Sequence, residues 1–127
     1  MIKIEAIVRE EKLEEIKDAL CKIQIHGLTI SQVVGCGTGL GYSHYVRGTK
    51  VDINVIPKIK FEIVVSDQEW ADKTVDAISK TAYTGEHVDG KIFVYEIKDV
   101  VRIRTGEHGP QAVWDEKQKS TGGKESL

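Results

Sequence analysis

At 127 residues, 40% hydrophobic and 30% charged, the chain suits one globular domain with a single core. A formal net charge of -2 excludes bulk attraction to nucleic acid or anionic lipid, so any phosphate recognition has to be local. No apolar run reaches the length of a membrane span, and the N-terminus is a charged amphipathic strand rather than a signal sequence, so a soluble, cytoplasmic protein is expected.

Ile2-Lys3-Ile4-Glu5-Ala6 alternates apolar and polar residues and predicts a first strand. Leu13, Ile16, Ala19, Leu20 and Ile23 recur at helical spacing opposite Glu14, Glu15, Lys17, Asp18 and Lys22, which predicts an amphipathic helix closed by His26-Gly27. Residues 28–34 alternate again as a second strand. The glycine-rich stretch that follows also carries Tyr42, His44, Tyr45 and Arg47, and predicts a long projecting loop suited to partner contact. Residues 58–65 form the third strand. Ser66-Asp67-Gln68-Glu69 matches a capping box with Ser66 as cap, opening a second helix striped by Trp70, Thr74, Ala77, Ile78 and Ala82 and ended by Gly85. Residues 92–95 form a fourth strand and residues 101–104 a short fifth.

The order βαββαβ is that of an α+β ferredoxin-like sandwich, with both helices on one face of an antiparallel sheet. Apolar side chains left on the open face predict association through it. The domain is expected to span residues 1–110, with 111–127 as a disordered tail low in apolar residues. Cys21 in the helix and Cys36 in the loop read as reduced thiols, and His26, His44, His87 and His108 show no metal-ligand spacing, so no metal site is expected.

The most informative stretch runs from Thr84 to Val94 and resumes at Val101. Gly85 to Lys91 fits G-x-x-x-x-G-K, in which glycines admit backbone N–H groups to an anion and Lys91 adds an ammonium. Ile92, however, stands where a phosphate-hydrolysing loop has Ser or Thr for magnesium, and a strand rather than a helix follows. Arg102 and Arg104, two residues apart, would share one face of a strand. The pattern reads as polyphosphate binding without obvious catalysis.

With this order of elements, Lys3-Ile4-Glu5-Ala6-Ile7-Val8, Val46-Arg47-Gly48, Pro57-Lys58-Ile59-Lys60, the stretch from Thr84 to Phe93 and Arg102-Ile103-Arg104-Thr105-Gly106-Glu107 resemble the PII nitrogen-regulatory signal proteins over about the first 110 residues. The resemblance implies a homotrimer that holds ATP or ADP in clefts between subunits and touches regulated proteins through a loop at about residues 37–56. It implies that Gly90, Lys91, Arg102 and Arg104 grip the phosphates with the Gly37 backbone, alongside Val88 and Asp89 of the same loop. Ile7, Thr29, Cys36, Glu62 and Val64 fall at the adenine and ribose pocket, and Lys58 where a lysine meets the carboxylate of 2-oxoglutarate. Tyr42, Tyr45, Arg47 and Thr49 belong to the partner loop.

Three departures bear on mechanism. Gly39 stands where the family has a glutamine that ligates magnesium between ATP and 2-oxoglutarate, so tight binding of magnesium and 2-oxoglutarate is not expected. Val51 replaces the tyrosine that some members have uridylylated, which excludes that modification there, and Val88 replaces a common glycine of the phosphate loop. The resemblance implies a non-enzymatic sensor whose partner is a membrane transporter, an ammonium transporter first, or an enzyme of nitrogen metabolism. A slow ATPase and an RNA-binding sheet are the competing classes; the negative charge argues against the second.

Overall fold

A computed structural model describes residues 1–36, 42–46, 49–53 and 55–114. Strand β1 (Ile2–Arg9) is followed by a 3-10 turn (Glu10–Lys12) and helix α1 (Leu13–Lys22); β2 (Leu28–Cys36), β3 (Tyr42–Val46), β4 (Thr49–Ile53) and β5 (Val55–Val65) come next. Helix α2 (Gln68–Ala82), β6 (Gly90–Glu96) and a short helix α3 (Pro110–Val113) complete the order. The main sheet runs β2-β5-β1-β6 with every described neighbour antiparallel, the order of a ferredoxin-like sandwich.

The period-2 pattern of β1 places Ile2, Ile4, Ala6 and Val8 in the core, where they meet Ile59, Phe61, Ile63 and Val65 of β5. Ile16 and Leu20 of α1 and Ala71, Thr74, Ile78 and Ala82 of α2 cover that face. Thr74 is fully buried, and its hydroxyl is satisfied by donating to the Trp70 carbonyl at 2.8 Å.

Several boundaries differ from the sequence reading. Helix α1 is closed by Gln24, not by His26-Gly27. Gln24 takes φ 70° and donates its N–H to the Cys21 carbonyl at 3.0 Å, while Ile25 N–H reaches Leu20 O at 2.9 Å and the two side chains are buried together. Asp67, not Ser66, caps α2, accepting from Trp70 N–H at 3.0 Å. The expected loop contains a hairpin, β3 against β4 with Val46 opposite Thr49, because Tyr-Ser-His-Tyr-Val and Thr-Lys-Val-Asp-Ile are strand-forming despite the surrounding glycines. Tyr42, Tyr45 and Thr49 therefore lie on strands; Gly37, Gly39 and Arg47 lie outside the described residues. Cys36 ends β2 opposite Val55 instead of lying in a loop.

The open face carries apolar side chains as expected, Phe93 and half-buried Ile7 among them, but ion pairs run between them. Lys3 pairs with Glu62 at 2.9 Å and Lys60 approaches Glu5 at 3.7 Å, so charge alternates across β1 and β5, and the Tyr95 hydroxyl of β6 donates to Glu5 at 3.1 Å. Among the described residues no strand forms at 101–104. Val101 makes a single bridge to His108, and residues 103–105 turn. Helix α3 lies across the predicted boundary at residue 110, and residues 115–127 lie outside the described residues.

Candidate functional site

Gly90 opens β6 with φ +112°, and a Cβ built there would stand 1.9 Å from the Ile7 carbonyl oxygen. Only glycine fits so close an approach of two backbones. The register follows from it: Gly90 opposite Val8 and Lys91 opposite Ile7, which places Ile7 beside the phosphate-type motif.

Asp89 organises the loop before Gly90. Its carboxylate accepts from Thr84 N–H at 2.7 Å, from Gly85 N–H at 2.9 Å, from the Thr84 hydroxyl and from Arg9 Nε at 3.1 Å. Together these hold its carboxyl well below the usual carboxylate range, the Thr84 hydroxyl first. Asp89, expected to be a nucleotide contact, is thus placed as the staple of its own loop. Lys58, buried and two residues from β5's Lys60, donates to the Val88 carbonyl; burial and then neighbouring Arg9 push its ammonium below the ordinary lysine range. The aliphatic stem of Lys58 lies 3.5 Å from the Cβ position of Gly35 on β2, which brings the end of β2 and Cys36 to this cluster.

A second cluster lies at the other end of the sheet. Thr29 pairs with Glu62 across β2 and β5, Val64 lies two residues on, and with Lys3 and Gly27 they floor a groove of about 400 Å³ whose other wall is Val100, Ala112 and Val113. Lys3 holds the Glu62 carboxyl below its ordinary range through their ion pair. The segment after β6 is fixed to this end by Ile97 N–H donating to Met1 O at 3.0 Å. It folds on itself through Arg102 N–H to Glu107 O at 2.9 Å and Gly106 N–H to Arg102 O at 2.8 Å, with Gly106 at φ +72°. Asp99 accepts from Val100 N–H, Gly109 N–H and, at 2.6 Å, pairs with His108, which keeps its carboxyl acidic.

Arg102 and Arg104 consequently do not share a strand face. Arg102 is half-buried, with Nε 3.3 Å from Glu107 Oε1 and its guanidinium donating to the carbonyls of Gln111, at 3.2 Å, and Trp114; Arg104 is exposed. Gly90-Lys91 stands at the first residues of β6 and Arg102 beyond its last, so the length of that strand, about 20 Å at about 3.3 Å per residue, separates them. The residues read from sequence as one site are therefore two clusters on one chain.

Sequence reading missed Arg9, which anchors Asp89, and Lys3, which anchors Glu62. Both occupy the polar phase of β1, so the alternation that revealed the strand also held the signal, but their partners are about 60 and 80 residues away and only the sheet register joins them.

The sequence profile described as nitrogen regulatory protein P-II matches residues 1–107. The chain belongs to that family. It is 52% identical over 113 residues to "Nitrogen regulatory protein P-II 1" of Methanothermobacter thermautotrophicus, covering 89% of this chain and 97% of that protein. To "Nitrogen regulatory protein GlnK" of Escherichia coli K12 it is 42% identical over 104 residues, 82% of this chain and 92% of that one. Among solved structures, "Structure of B. subtilis GlnK" superposes with a TM-score of 0.71 at 39% identity, covering 87% of this chain and 96% of that chain. P-II membership makes this a nitrogen regulatory signal protein of ferredoxin-like fold, and the relatives named are regulators rather than enzymes. No helix among the described residues is long and apolar enough to cross a membrane.

Proposed function

We propose that this P-II family protein binds ATP or ADP in clefts completed by a second copy of the chain, in a homotrimer, and signals nucleotide state to a partner through the segment that bears the β3–β4 hairpin. The observation that carries this reading is the separation of the two clusters. Lys91 with the Gly90 backbone, and Arg102 with the groove at Thr29, Glu62 and Val64, lie at opposite ends of β6. A compact triphosphate cannot be gripped by both on one chain; the base-side cluster of one subunit and the phosphate loop of its neighbour supply a complete set.

The residues fit the ligand. Gly90 holds its backbone where no side chain could stand, Lys91 is exposed beside it, and the groove offers Val64 as an apolar surface with Thr29 and Glu62 as polar groups for a base and sugar. ATP and ADP differ by one phosphate, and a different grip in each case biases the partner-facing segment differently. Hydrolysis is no part of the proposal: the carboxylate next to Gly90 is committed to Thr84, Gly85 and Arg9. The partner is a membrane transporter, an ammonium transporter foremost, or an enzyme of nitrogen metabolism, met from the cytoplasm through Tyr42, Tyr45, Arg47 and Thr49.

Tight sensing of 2-oxoglutarate is not proposed, because Gly39 has no side chain to ligate magnesium and the ammonium of Lys58 is engaged by the Val88 carbonyl. RNA binding is disfavoured by Glu5 and Glu62 in the middle of the open sheet face. Calorimetric titration with ATP and with ADP, each with and without magnesium and 2-oxoglutarate, tests the reading. One nucleotide per chain is expected, with little response to 2-oxoglutarate until Gly39→Gln is introduced; a chain that takes up neither nucleotide sinks it.

A further inference from the structure

The base-side cluster is covered by residues 110–114 of the same chain. Ala112 and Val113 face Thr29 and Val64 across the groove, and the guanidinium of Arg102 donates to the Gln111 and Trp114 carbonyls. Arg102 Nε is buried and, although 3.3 Å from Glu107 Oε1, is not aligned for a hydrogen bond. A guanidinium has five N–H donors in a fixed fork, and both carbonyls are met by one terminal nitrogen, Nη2, so a bidentate grip on phosphate that draws on Nη2 has to displace them. The cover is light. Helix α3 is four residues long, the backbone N–H of Gly109 before it is held by Val100 O and Asp99, and Trp114 remains 45% exposed, so displacement of residues 110–114 exposes little new apolar surface.

We infer that residues 110–114 form a strap that competes with the nucleotide for Arg102, so that the base-side cluster becomes binding-competent only when the strap lifts. The inference rests on the nucleotide reading above and adds a control to it. Two neutral carbonyls are weaker partners for a guanidinium than a phosphate oxyanion, so a nucleotide displaces the strap, whereas the strap sets the affinity at which it does so. If the strap is closed in most molecules, the apparent dissociation constant is raised by the inverse of the open fraction.

The chain has two tryptophans, so Trp70→Phe leaves Trp114 as the sole indole and a direct reporter of the strap in the full chain. Titration of this variant with ATP is expected to shift Trp114 emission with the same midpoint as calorimetric binding. A second full-length variant, Ala112→Gly with Val113→Gly, loosens α3 without adding charge, and its affinity for ATP is expected to rise about three- to tenfold for a strap closed about 70–90% of the time. Circular dichroism and the thermal midpoint establish that both variants are folded. The strap is overturned if ATP binds while Trp114 emission stays still, or if the loosened variant binds ATP no tighter or more weakly, which would make residues 110–114 a wall of the site. Absence of ATP binding in every form removes the nucleotide reading itself, and the strap with it.

Discussion

The loop before Gly90 and the groove at Thr29 and Glu62, proposed to meet phosphates and base, are held in opposite ways. At the loop, a glycine with no room for a Cβ fixes two backbones together, and one carboxylate gathers Thr84, Gly85 and Arg9. At the groove, an ion pair between Lys3 and Glu62 forms the floor and a four-residue helix the far wall, with Arg102 reaching the Trp114 carbonyl just beyond that helix. The first is preorganised by backbone fit and multiple bonds, and the second by side chains at a partly exposed surface. A cleft built from both would meet the phosphates with a rigid half and adjust with the other.

The contrast can be broken most severely at Gly90. Gly90→Ala sets a methyl group against the Ile7 carbonyl and is expected to cost about 3 kcal/mol or more, seen in thermal or urea unfolding, and to abolish ATP binding. Gly106→Ala, where φ is also positive but no atom lies within 4 Å, should cost only about 1–2 kcal/mol from backbone strain. Equal losses at the two glycines would contradict the difference in rigidity.

Next in size is a mixing experiment. Lys91→Ala and Arg102→Ala are each expected to weaken ATP binding about 10- to 100-fold, by loss of a charged phosphate contact. Refolding the two together should restore about a quarter of the clefts to full affinity if each cleft draws its halves from different chains in a randomly mixed trimer. No restoration would place both halves of a site on one chain.

A smaller and local effect is expected from Asp89. Its folded carboxyl titrates below the unfolded value, so its contribution to the loop is complete above about pH 4 and is lost as pH falls through the depressed folded value. Hydrogen exchange at the amides of Thr84 and Gly85 should therefore stay slow from neutral pH to about pH 4 and lose its protection below, after allowing for the pH dependence of intrinsic exchange. Asp89→Asn should lose protection at neutral pH. The smallest change belongs to Lys3→Met, whose ion pair with Glu62 is partly exposed; a thermal midpoint within about 2 °C of the parent is expected.

The fold was legible where one period dominates. Residues 2–8 and 58–65 alternate cleanly, and α1 and α2 carry apolar stripes, so four strands and two helices could be read before their arrangement was known. The hairpin was hidden by glycines at 37, 39, 41 and 48, which mark breaks without specifying what lies between them. The fifth strand failed for a related reason. Val-Arg-Ile-Arg alternates like a strand, yet the turn at Thr105-Gly106 folds residues 101–108 onto themselves, and Ile103 is left 97% exposed. In the candidate site the motif around Gly90-Lys91 was legible because a glycine's role is local. The roles of Lys3 and Arg9 depend on partners brought by register, and the engagement of Arg102 by Gln111 and Trp114 depends on a fold-back that no local pattern encodes.

Gln24 is the only non-glycine residue with positive φ among the described residues, and it closes a helix on the face of the sheet away from the open-face residues of either cluster. Strain placed there serves neither half of the cleft, so glycine at this position offers a way to raise the protein's heat tolerance while leaving the chemistry of recognition alone. Such a background would let destabilising changes at the phosphate loop be studied in protein that still folds.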